Sequence, residues 1–354
     1  MSTLIAAPAL VAWLNVAVAC GLDRWIGDPA GWLHPVQVMG WWISALRGRA
    51  EAWAGDRPWK LRLAGGLITL LLVGASGGAG WLVEALARWW PVLGRPLLWL
   101  ALASCLAGGS LERAVRGVLD QLEGPGSEGQ GGDGLGPARG QLAWIVGRDV
   151  EGLDEAELLR AAAETAAENG VDGLFGPLFW MLAGAGLGCS QAAGHPPMPG
   201  PLALALAYKA ASTLDSMLGY RRGQLEWLGT AGARLDDLLT WLPCRLVAIS
   251  LPLVSRRPGQ IVRQLALSRR QGRGDPSPNA GLSQAAYAQA AEVQLGGVNR
   301  YGGVARAKPI LGAGFPGADR GAVELILRLS RRLEALWLTV SLGLALLAAG
   351  LGSQ

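Results

Sequence analysis

Residues 63–83, LAGGLITLLLVGASGGAGWLV, form an uncharged run that decides the class of the fold. An α-helix needs about 20 consecutive apolar residues to cross the hydrocarbon core of a bilayer. The run at 335–351, ALWLTVSLGLALLAAGL, is equally free of charge and of comparable length. These two stretches are the clearest signals of membrane-spanning helices in the chain.

The composition of the whole chain supports a membrane protein. Charged residues make up 16% of the 354 residues, whereas soluble domains contain about 25%. The 53 glycines and 16 tryptophans are typical of helices that pack within a bilayer and anchor at its surfaces. The apolar content and the net charge of only +4 exclude a disordered chain, and four scattered cysteines without a CxxC pair exclude a disulfide scaffold. With two histidines in the chain, a His-rich metal site is also excluded.

We predict an all-α fold: a polytopic integral membrane helical bundle with cytoplasmic helical loops, forming one domain over residues 1–354.

The charge of the loops predicts the topology. The segment 256–334 carries thirteen basic and five acidic residues, so the positive-inside rule places it in the cytoplasm, together with segments 24–62 and 220–237. The run at 238–254 then lies between two cytoplasmic segments, and we predict a re-entrant or interfacial element interrupted by Pro243 and Pro252. Six crossings, with both termini outside, are expected from the remaining apolar runs. These lie at 4–22, 63–83, 92–108, 173–189, 200–219 and 335–351.

Local signals outside the spans predict a loop and two helices. The glycine-rich stretch at 124–140 is expected to be a mobile loop. Asp154, with Glu157 three residues later, predicts the start of a helix that ends near Gly170. The turn at 275–281 is expected to lead into a helix capped at Ser283 and closed by the glycines at 296–297.

Two polar clusters flank the predicted spans in the first half of the chain. The string DRWIGDP at 23–29, followed by HPV at 34–36, combines carboxylates, a histidine and turn residues. It is either a ligand loop or an interfacial turn. Glu164 and Glu168 lie four residues apart and thus on one helical face, where like charges repel. Such a pair is stabilised by a neighbouring cation, either Arg160 or a bound Mg²⁺, or else forms a solvated acidic face.

Three further clusters lie in the second half. Lys209 and Asp215 stand in an otherwise apolar helix, as functional residues or as a simple pair. Asp236 and Asp237 can hold a divalent cation through their oxygens or can cap a helix. Asn279 belongs to the turn at 275–281, which taken alone is a surface turn.

Taken in order, these motifs resemble the CobD/CbiB family of cobalamin-biosynthesis membrane proteins. The strings that carry the resemblance are DRWIGDP with HPV (23–36), GRDVEGL with AAAETAAENGVDGLFGPLFW (147–180), YKAASTLDSMLGY (208–220), ARLDDLLTWLPCRL (233–246) and SPNAGLSQAAYAQAAEVQLGG (277–297). The resemblance implies an adenosylcobinamide-phosphate synthase of the bacterial inner membrane. The implied reaction joins adenosylcobyric acid to aminopropanol phosphate through an amide bond, at the cost of ATP.

The implied reaction gives the polar residues expected roles, with the active site on the cytoplasmic side. Activation of a carboxylate by ATP requires Mg²⁺ and cationic groups that hold phosphate. The expected Mg²⁺ ligands are Glu164, Glu168, Asp236 and Asp237. The expected substrate- and phosphate-binding residues are Arg221, Arg234, Asn169 and Asn279. The expected catalytic residues are Asp28, His34, Lys209 and Asp215, and either Asp28 or His34 is expected to accept the proton of the amine.

Other classes of function make different demands on the sequence. A transporter of corrinoid intermediates would carry polar residues at mid-membrane, and often internal repeats. Of the polar residues considered, only Lys209 and Asp215 lie within a predicted span, and the sequence shows no internal repeat. A non-catalytic scaffold for other cobalamin-biosynthesis enzymes would not need clustered carboxylates and cations. The expected partners are the three small-molecule substrates, the lipid bilayer and possible neighbouring enzymes of the pathway, without nucleic acid.

Overall fold

The computed structural model describes residues 3–27, 31, 33–123, 134–187 and 198–351. Its elements are helices, apart from one β-hairpin. The helices are α1 Thr3–Trp25, α2 Pro35–Ala54, α3 Pro58–Trp89, α4 Pro91–Ala103, α5 Gly108–Glu123, α6 Gly136–Ala143, α7 Glu155–Gly170, α8 Gly176–Leu187, α9 Pro201–Leu218, α10 Leu225–Leu228, α11 Thr230–Val254, α12 Ile261–Gln271, α13 Ala280–Ala291 and α14 Arg320–Leu351. The hairpin strands are β1 Leu295–Tyr301 and β2 Val304–Leu311. The predicted helical membrane fold is confirmed.

The chain divides into two compact units. The first unit comprises residues 1–107, 176–240 and 337–354, and the second comprises residues 108–175 and 241–336. In the first unit α9 packs against α3 and α8. A Cβ atom on Gly80 of α3 would lie 2.7 Å from the Cα atom of Ala203 in α9, so the small residue lets the two backbones approach closely, as in membrane bundles.

In the second unit helices support the hairpin. Helix α7 packs against α5, α13 and β1, and α12 packs against α13 and β2. The strands pair antiparallel, from Leu295 opposite Leu311 to Tyr301 opposite Val304, with an irregularity between Leu295 and Gly297. The all-helical prediction missed this hairpin, because Gly296 and Gly297 were interpreted as the end of a helix.

Four helices of the described part of the chain are long and apolar enough to cross a membrane: Pro58–Trp89, Glu155–Leu187, Thr230–Val254 and Arg320–Ala349. The bent pair α4 and α5 would make five if it forms one span. On α3, large side chains such as Leu67 and Leu70 are exposed, and a lipid environment covers such a surface at no cost. The expected six crossings remain a prediction.

Helix α11 corrects the prediction for residues 238–254. The interruptions expected at Pro243 and Pro252 are wrong, because the helix runs through both prolines from Thr230 to Val254. Proline has no N–H for the carbonyl four residues earlier, that of Leu239. The Nε1–H of Trp180 donates to this carbonyl at 3.1 Å instead, so the helix continues at little cost.

Local helix signals were partly correct. Asp154 and Glu157 form the expected capping box at the start of α7, which confirms that prediction. Helix α7 ends at Gly170, as expected, and the chain continues through a π-helical turn, Val171–Phe175, into α8. Helix α13 is capped at Asn279 rather than Ser283 and ends at Ala291, before Glu292 in the left-handed conformation. Of the glycine-rich stretch, residues 124–133 lie outside the described residues, and 136–140 belong to α6.

Candidate functional site

Glu164 is the centre of a buried ion-pair network in the second unit. The residue is 0% exposed. One carboxylate oxygen accepts a hydrogen bond from the guanidinium of Arg148, and the other accepts from Arg160 Nη1 at 3.4 Å and from the Gly296 N–H at 2.8 Å. The expected neighbouring cation is therefore present, in the form of two arginines. Because both oxygens are occupied by protein donors, Glu164 holds the network together in this structure.

The same two arginines fasten the hairpin to α7. The side-chain oxygen of Asn299 on β1 accepts from Arg148 Nη1 at 2.8 Å and from Arg160 Nη1 at 3.2 Å. Arg160 also donates to the carbonyls of Gly296 and Val298, at 2.6 and 3.2 Å. The network thus orders a glycine-rich strand that has few side chains of its own to pack.

Glu168, one turn further along α7, has a different set of neighbours. Its carboxylate accepts a hydrogen bond from the Gln284 amide of α13. It lies within electrostatic range of Lys308, whose Nζ is 3.3 Å from Asp275 Oδ2. Burial alone would lower the pKa of Lys308, but the negative charges of Glu168 and Asp275 outweigh it, so the pKa is raised. The ammonium of Lys308 is therefore charged at neutral pH and shared between two carboxylates.

The two asparagines assigned to substrate binding make contacts within the second unit. Asn169 Nδ2 donates to Thr165 Oγ1 at 3.0 Å and to the Ile145 carbonyl at 3.4 Å. The side-chain oxygen of Asn279 accepts from Arg245 Nη1. In the structure both side chains order the loops around α7 and α13, and a role toward substrate stays a prediction.

Asp236 belongs to a carboxylate cluster in the first unit. It interacts electrostatically with Asp215 and Asp237, which repel its charge, and with the ammonium of Lys209, which attracts it. One carboxylate oxygen of Asp236 is buried and has no hydrogen-bond partner. Three carboxylates and one lysine leave this cluster with excess negative charge and with an oxygen free to accept a ligand.

The backbone keeps Asp215 close to the end of α9. The N–H of Gly219 donates to the Asp215 carbonyl at 2.8 Å. A Cβ atom on Gly219 would lie 2.1 Å from Asp215 Oδ1, so this position requires glycine.

His34 caps α2. Its Nδ1 accepts from the Val36 N–H at 3.2 Å, and the backbone N–H of His34 donates to the side-chain oxygen of Gln37 at 3.3 Å. An accepting Nδ1 places the proton of a neutral imidazole on Nε2. To accept a proton at Nδ1, His34 would have to give up the cap. Asp28, the other proton acceptor predicted in this motif, lies outside the described residues.

The arginines predicted to bind phosphate lie at the surface of the first unit. Arg221 and Arg234 are both exposed, on the loop after α9 and in the first turns of α11. An exposed guanidinium keeps its N–H donors available for a phosphate.

The described residues contain no group of three or more His, Cys, Asp or Glu side chains placed to hold a metal ion by themselves. Mg²⁺ is commonly held by one or two carboxylates together with substrate phosphates. The oxygen donors of the Asp236 cluster, one of them unpartnered, fit this ion and this mode of binding. Glu164 fits it poorly because its oxygens are already occupied.

Arg148 and Asn299, which belong to the network around Glu164, were not among the predicted site residues. Arg148 precedes α7 by several residues, and Asn299 lies on a strand that was not predicted. A signal for that strand was present: Gly302 and Gly303, both with positive φ, form a two-residue turn between Tyr301 and Val304, a common pattern for a β-hairpin.

The fold and its polar clusters define an integral membrane protein with helical units that carry buried charge. The family model described as CobD/CbiB protein matches residues 16–330. The chain belongs to this family.

Several relatives match over most of their length. The cobalamin biosynthesis protein CobD of Synechocystis sp. is 42% identical, over 86% of this chain and 84% of the relative. The cobalamin biosynthesis protein CbiB of Salmonella typhi is 37% identical, over 96% of this chain and 97% of the relative. The CobD protein of Pelobacter propionicus is 35% identical, over 95% and 96%. No solved structure gives a significant match.

Proposed function

We propose that the protein acts in cobalamin biosynthesis as an adenosylcobinamide-phosphate synthase, a ligase that forms a carbon–nitrogen bond. Its substrates would be adenosylcobyric acid, (R)-1-aminopropan-2-ol phosphate or a related amino alcohol, and ATP. Membership of the CobD/CbiB family over residues 16–330 carries this proposal. The names of the relatives support the pathway, and the ligase reaction is our inference from the resemblance and the chemistry.

The proposed reaction has two steps, because a carboxylate is a poor acceptor for an amine. The carboxylate oxygen of the corrinoid attacks the γ-phosphorus of ATP, the bond to the bridging oxygen breaks, and ADP leaves an acyl phosphate. The amine nitrogen then attacks the acyl carbon. The new amide bond forms as inorganic phosphate departs and the nitrogen loses a proton.

The Asp236 cluster supports this chemistry. Asp236 and Asp237 would hold Mg²⁺ together with the ATP phosphates, and the bound ion would neutralise charge on the transferring phosphoryl group. Lys209 lies within electrostatic range of Asp236, and its ammonium would pair with phosphate. Asp215 would accept the proton from the amine. The unpartnered oxygen of Asp236 is the structural feature that favours this cluster over Glu164.

We also propose where in the cell the protein acts. The long apolar helices indicate a membrane protein, and the basic loops favour a bacterial inner membrane with the reaction on its cytoplasmic side. Arg221 and Arg234 would then meet phosphate groups of soluble substrates there.

The test is product formation by the purified protein in lipid nanodiscs. Adenosylcobyric acid, the amino alcohol phosphate, ATP and Mg²⁺ are supplied together and in sets that each omit one component. We expect adenosylcobinamide phosphate by mass spectrometry, and ADP in equal amount, only with the complete set. Absence of product while a control synthase is active would overturn the proposal. Corrinoid uptake by proteoliposomes would then favour a transporter, and neither activity would favour a scaffold.

A further inference from the structure

A cleft of about 480 Å³ opens in the first unit, at the end where α2 finishes and α9 gives way to α10. Its lining includes two arginines and one glutamate and comes from α2, from the loop before α10 and from the first residue of α10. The lining residues are Arg47, Glu51, Arg222, Gly223, Gln224 and Leu225.

The two walls of the cleft are tied to each other. The Gln224 amide donates to the Gly55 carbonyl at 3.2 Å and to Asp56 Oδ1 at 3.1 Å. Gly223 has a φ of +54°, a left-handed conformation that glycine adopts without strain. The loop that carries Arg222 is therefore held against the end of α2.

The two arginines keep donors for a ligand. Arg47 uses its Nε–H for Glu51, at 2.7 Å, so the terminal N–H groups of its guanidinium are not used in this ion pair. The Arg222 guanidinium lies over the Tyr220 ring, 5.0 Å from its centre, and stacking leaves the N–H donors at the edge of the plane. Two guanidinium groups against one carboxylate give the cleft a positive balance, which suits a phosphate.

The residues around the cleft are of the types found at a membrane–water interface. Trp53, Trp59 and Tyr220 are 54%, 61% and 51% exposed. Lys60 lies over the rings of both tryptophans, at 4.8 and 5.8 Å. Exposed aromatic rings with basic neighbours are enriched at the level of lipid headgroups. The apolar helix α3, long enough to cross the membrane, begins at this level with Pro58.

We propose that this cleft binds the headgroup phosphate of an anionic phospholipid, with Arg47 and Arg222 as the phosphate ligands. Basic pockets beside membrane helices bind such headgroups, and the exposed tryptophans would contact the adjoining glycerol and acyl region. The cleft uses none of the residues assigned to the ligase reaction, although Arg221, which is one of them, directly precedes Arg222.

Native mass spectrometry of the delipidated full-length protein in detergent tests the proposal. Phosphatidylglycerol and phosphatidylcholine with the same acyl chains are the probes. Variants R47Q, R222Q and R47Q/R222Q are compared with R49Q, a matched control that removes an exposed arginine of α2 outside the lining of the cleft. We expect selective retention of phosphatidylglycerol, weakened about tenfold in each single variant, as for the loss of one charge-assisted contact, and unchanged in R49Q.

Two further measurements complete the test. Inorganic phosphate or ATP, added in excess, should leave phosphatidylglycerol bound; displacement by either would show a site for soluble phosphates and overturn the lipid assignment. Equal binding of the two lipids, or equal loss in R49Q and R222Q, would also overturn it. If the double variant does not fold, R222Q decides alone, since its side chain lies on an exposed loop and its helix content can be checked by circular dichroism.

Discussion

The carboxylates of Glu164 and Asp236 are both predicted Mg²⁺ ligands, but they have opposite electrostatic surroundings. Glu164, in the second unit, has two arginines and a backbone N–H on its two oxygens. Asp236, in the first unit, has two carboxylates and one lysine as its electrostatic neighbours, and one buried oxygen lacks a partner.

This difference separates a carboxylate that stabilises the fold from one that can take a ligand. A buried charge whose partners are all supplied by the protein gains little from an added cation, and removing it leaves those partners unpaired. A cluster of like charges is costly by itself and is relieved when a cation binds. Perturbed clusters of the second kind are candidates for functional sites.

The largest effect is expected from Glu164→Ala. The substitution removes the counter-charge of Arg148 and Arg160, whose side chains are only 8% and 16% exposed, and breaking a buried pair costs about 3–5 kcal/mol. We expect a clearly lower midpoint of thermal unfolding for the purified protein in detergent. Glu155→Ala, in the exposed first turn of α7, is the matched control and should change the midpoint little.

A different result would contradict the structural role of Glu164. If Glu164→Ala unfolded like the wild type but lost the Mg²⁺ dependence of turnover, Glu164 would be a metal ligand and not the centre of a structural network.

Asp236→Asn should have the next largest effect, and on activity instead of stability. The substitution keeps size and removes one of three repelling charges, so the unfolding midpoint should be unchanged or raised. If the cluster holds Mg²⁺ and phosphate, turnover should fall by about 10²–10³-fold, as when a single stabilising group is lost from an active site. ADP release in the complete reaction mixture is the measurement, and Glu226→Gln, on an exposed nearby residue, is the control. Normal turnover by Asp236→Asn would remove this cluster from the mechanism.

The contrast between the two clusters could not be obtained from the sequence. Spacing placed Glu164 and Glu168 on one helical face, and the capping box at Asp154 was correct because it depends on residues within one turn. The groups that neutralise Glu164 come from Arg148, before the helix, and from Gly296, far along the chain in a hairpin that was interpreted as a helix end. Such partners are set by tertiary packing and leave no local pattern.

The continuity of α11 across Pro243 could not be predicted from the sequence either. Pro243 is a sound local reason to expect a break, and each of the predicted apolar runs corresponds to a helix of the structure. The donor that replaces the missing N–H is the Trp180 side chain, which is remote in sequence. Long apolar helices are therefore predictable here, whereas their continuity across a proline depends on a neighbour that the sequence does not identify.

Glu168→Gln tests a residue whose surroundings are intermediate between those of Glu164 and Asp236. The amide can still accept from Gln284, so one hydrogen bond is kept, while Lys308 loses one of its two carboxylates and retains Asp275. We expect a loss of stability of about 1 kcal/mol, as for a modest polar contact. A role in Mg²⁺ binding further predicts that the variant needs more Mg²⁺ for the same turnover. Wild-type turnover by a folded variant at every Mg²⁺ concentration would show that Glu168 is structural, like Glu164.

The smallest effect is expected from Asp149→Asn, at the far end of the hairpin that reaches Glu164. Asp149 accepts from the N–H groups of Gly303 and Gly302, at 2.7 and 2.9 Å, and these bonds lower the pKa of its carboxyl below the ordinary value. A lowered pKa in the folded state means that the stabilisation is complete above the pKa of the unfolded chain and is lost as the pH falls through the folded value. The variant should therefore show faster hydrogen exchange at residues 301–304 than the wild type at neutral pH, and the difference should vanish in acid. Exchange at residues 295–297, where Gly296 meets Glu164, should not change, because the arginine network holds that end independently. Faster exchange along the whole hairpin would mean that the turn, and not only the two arginines, holds the end of the hairpin that contacts Glu164.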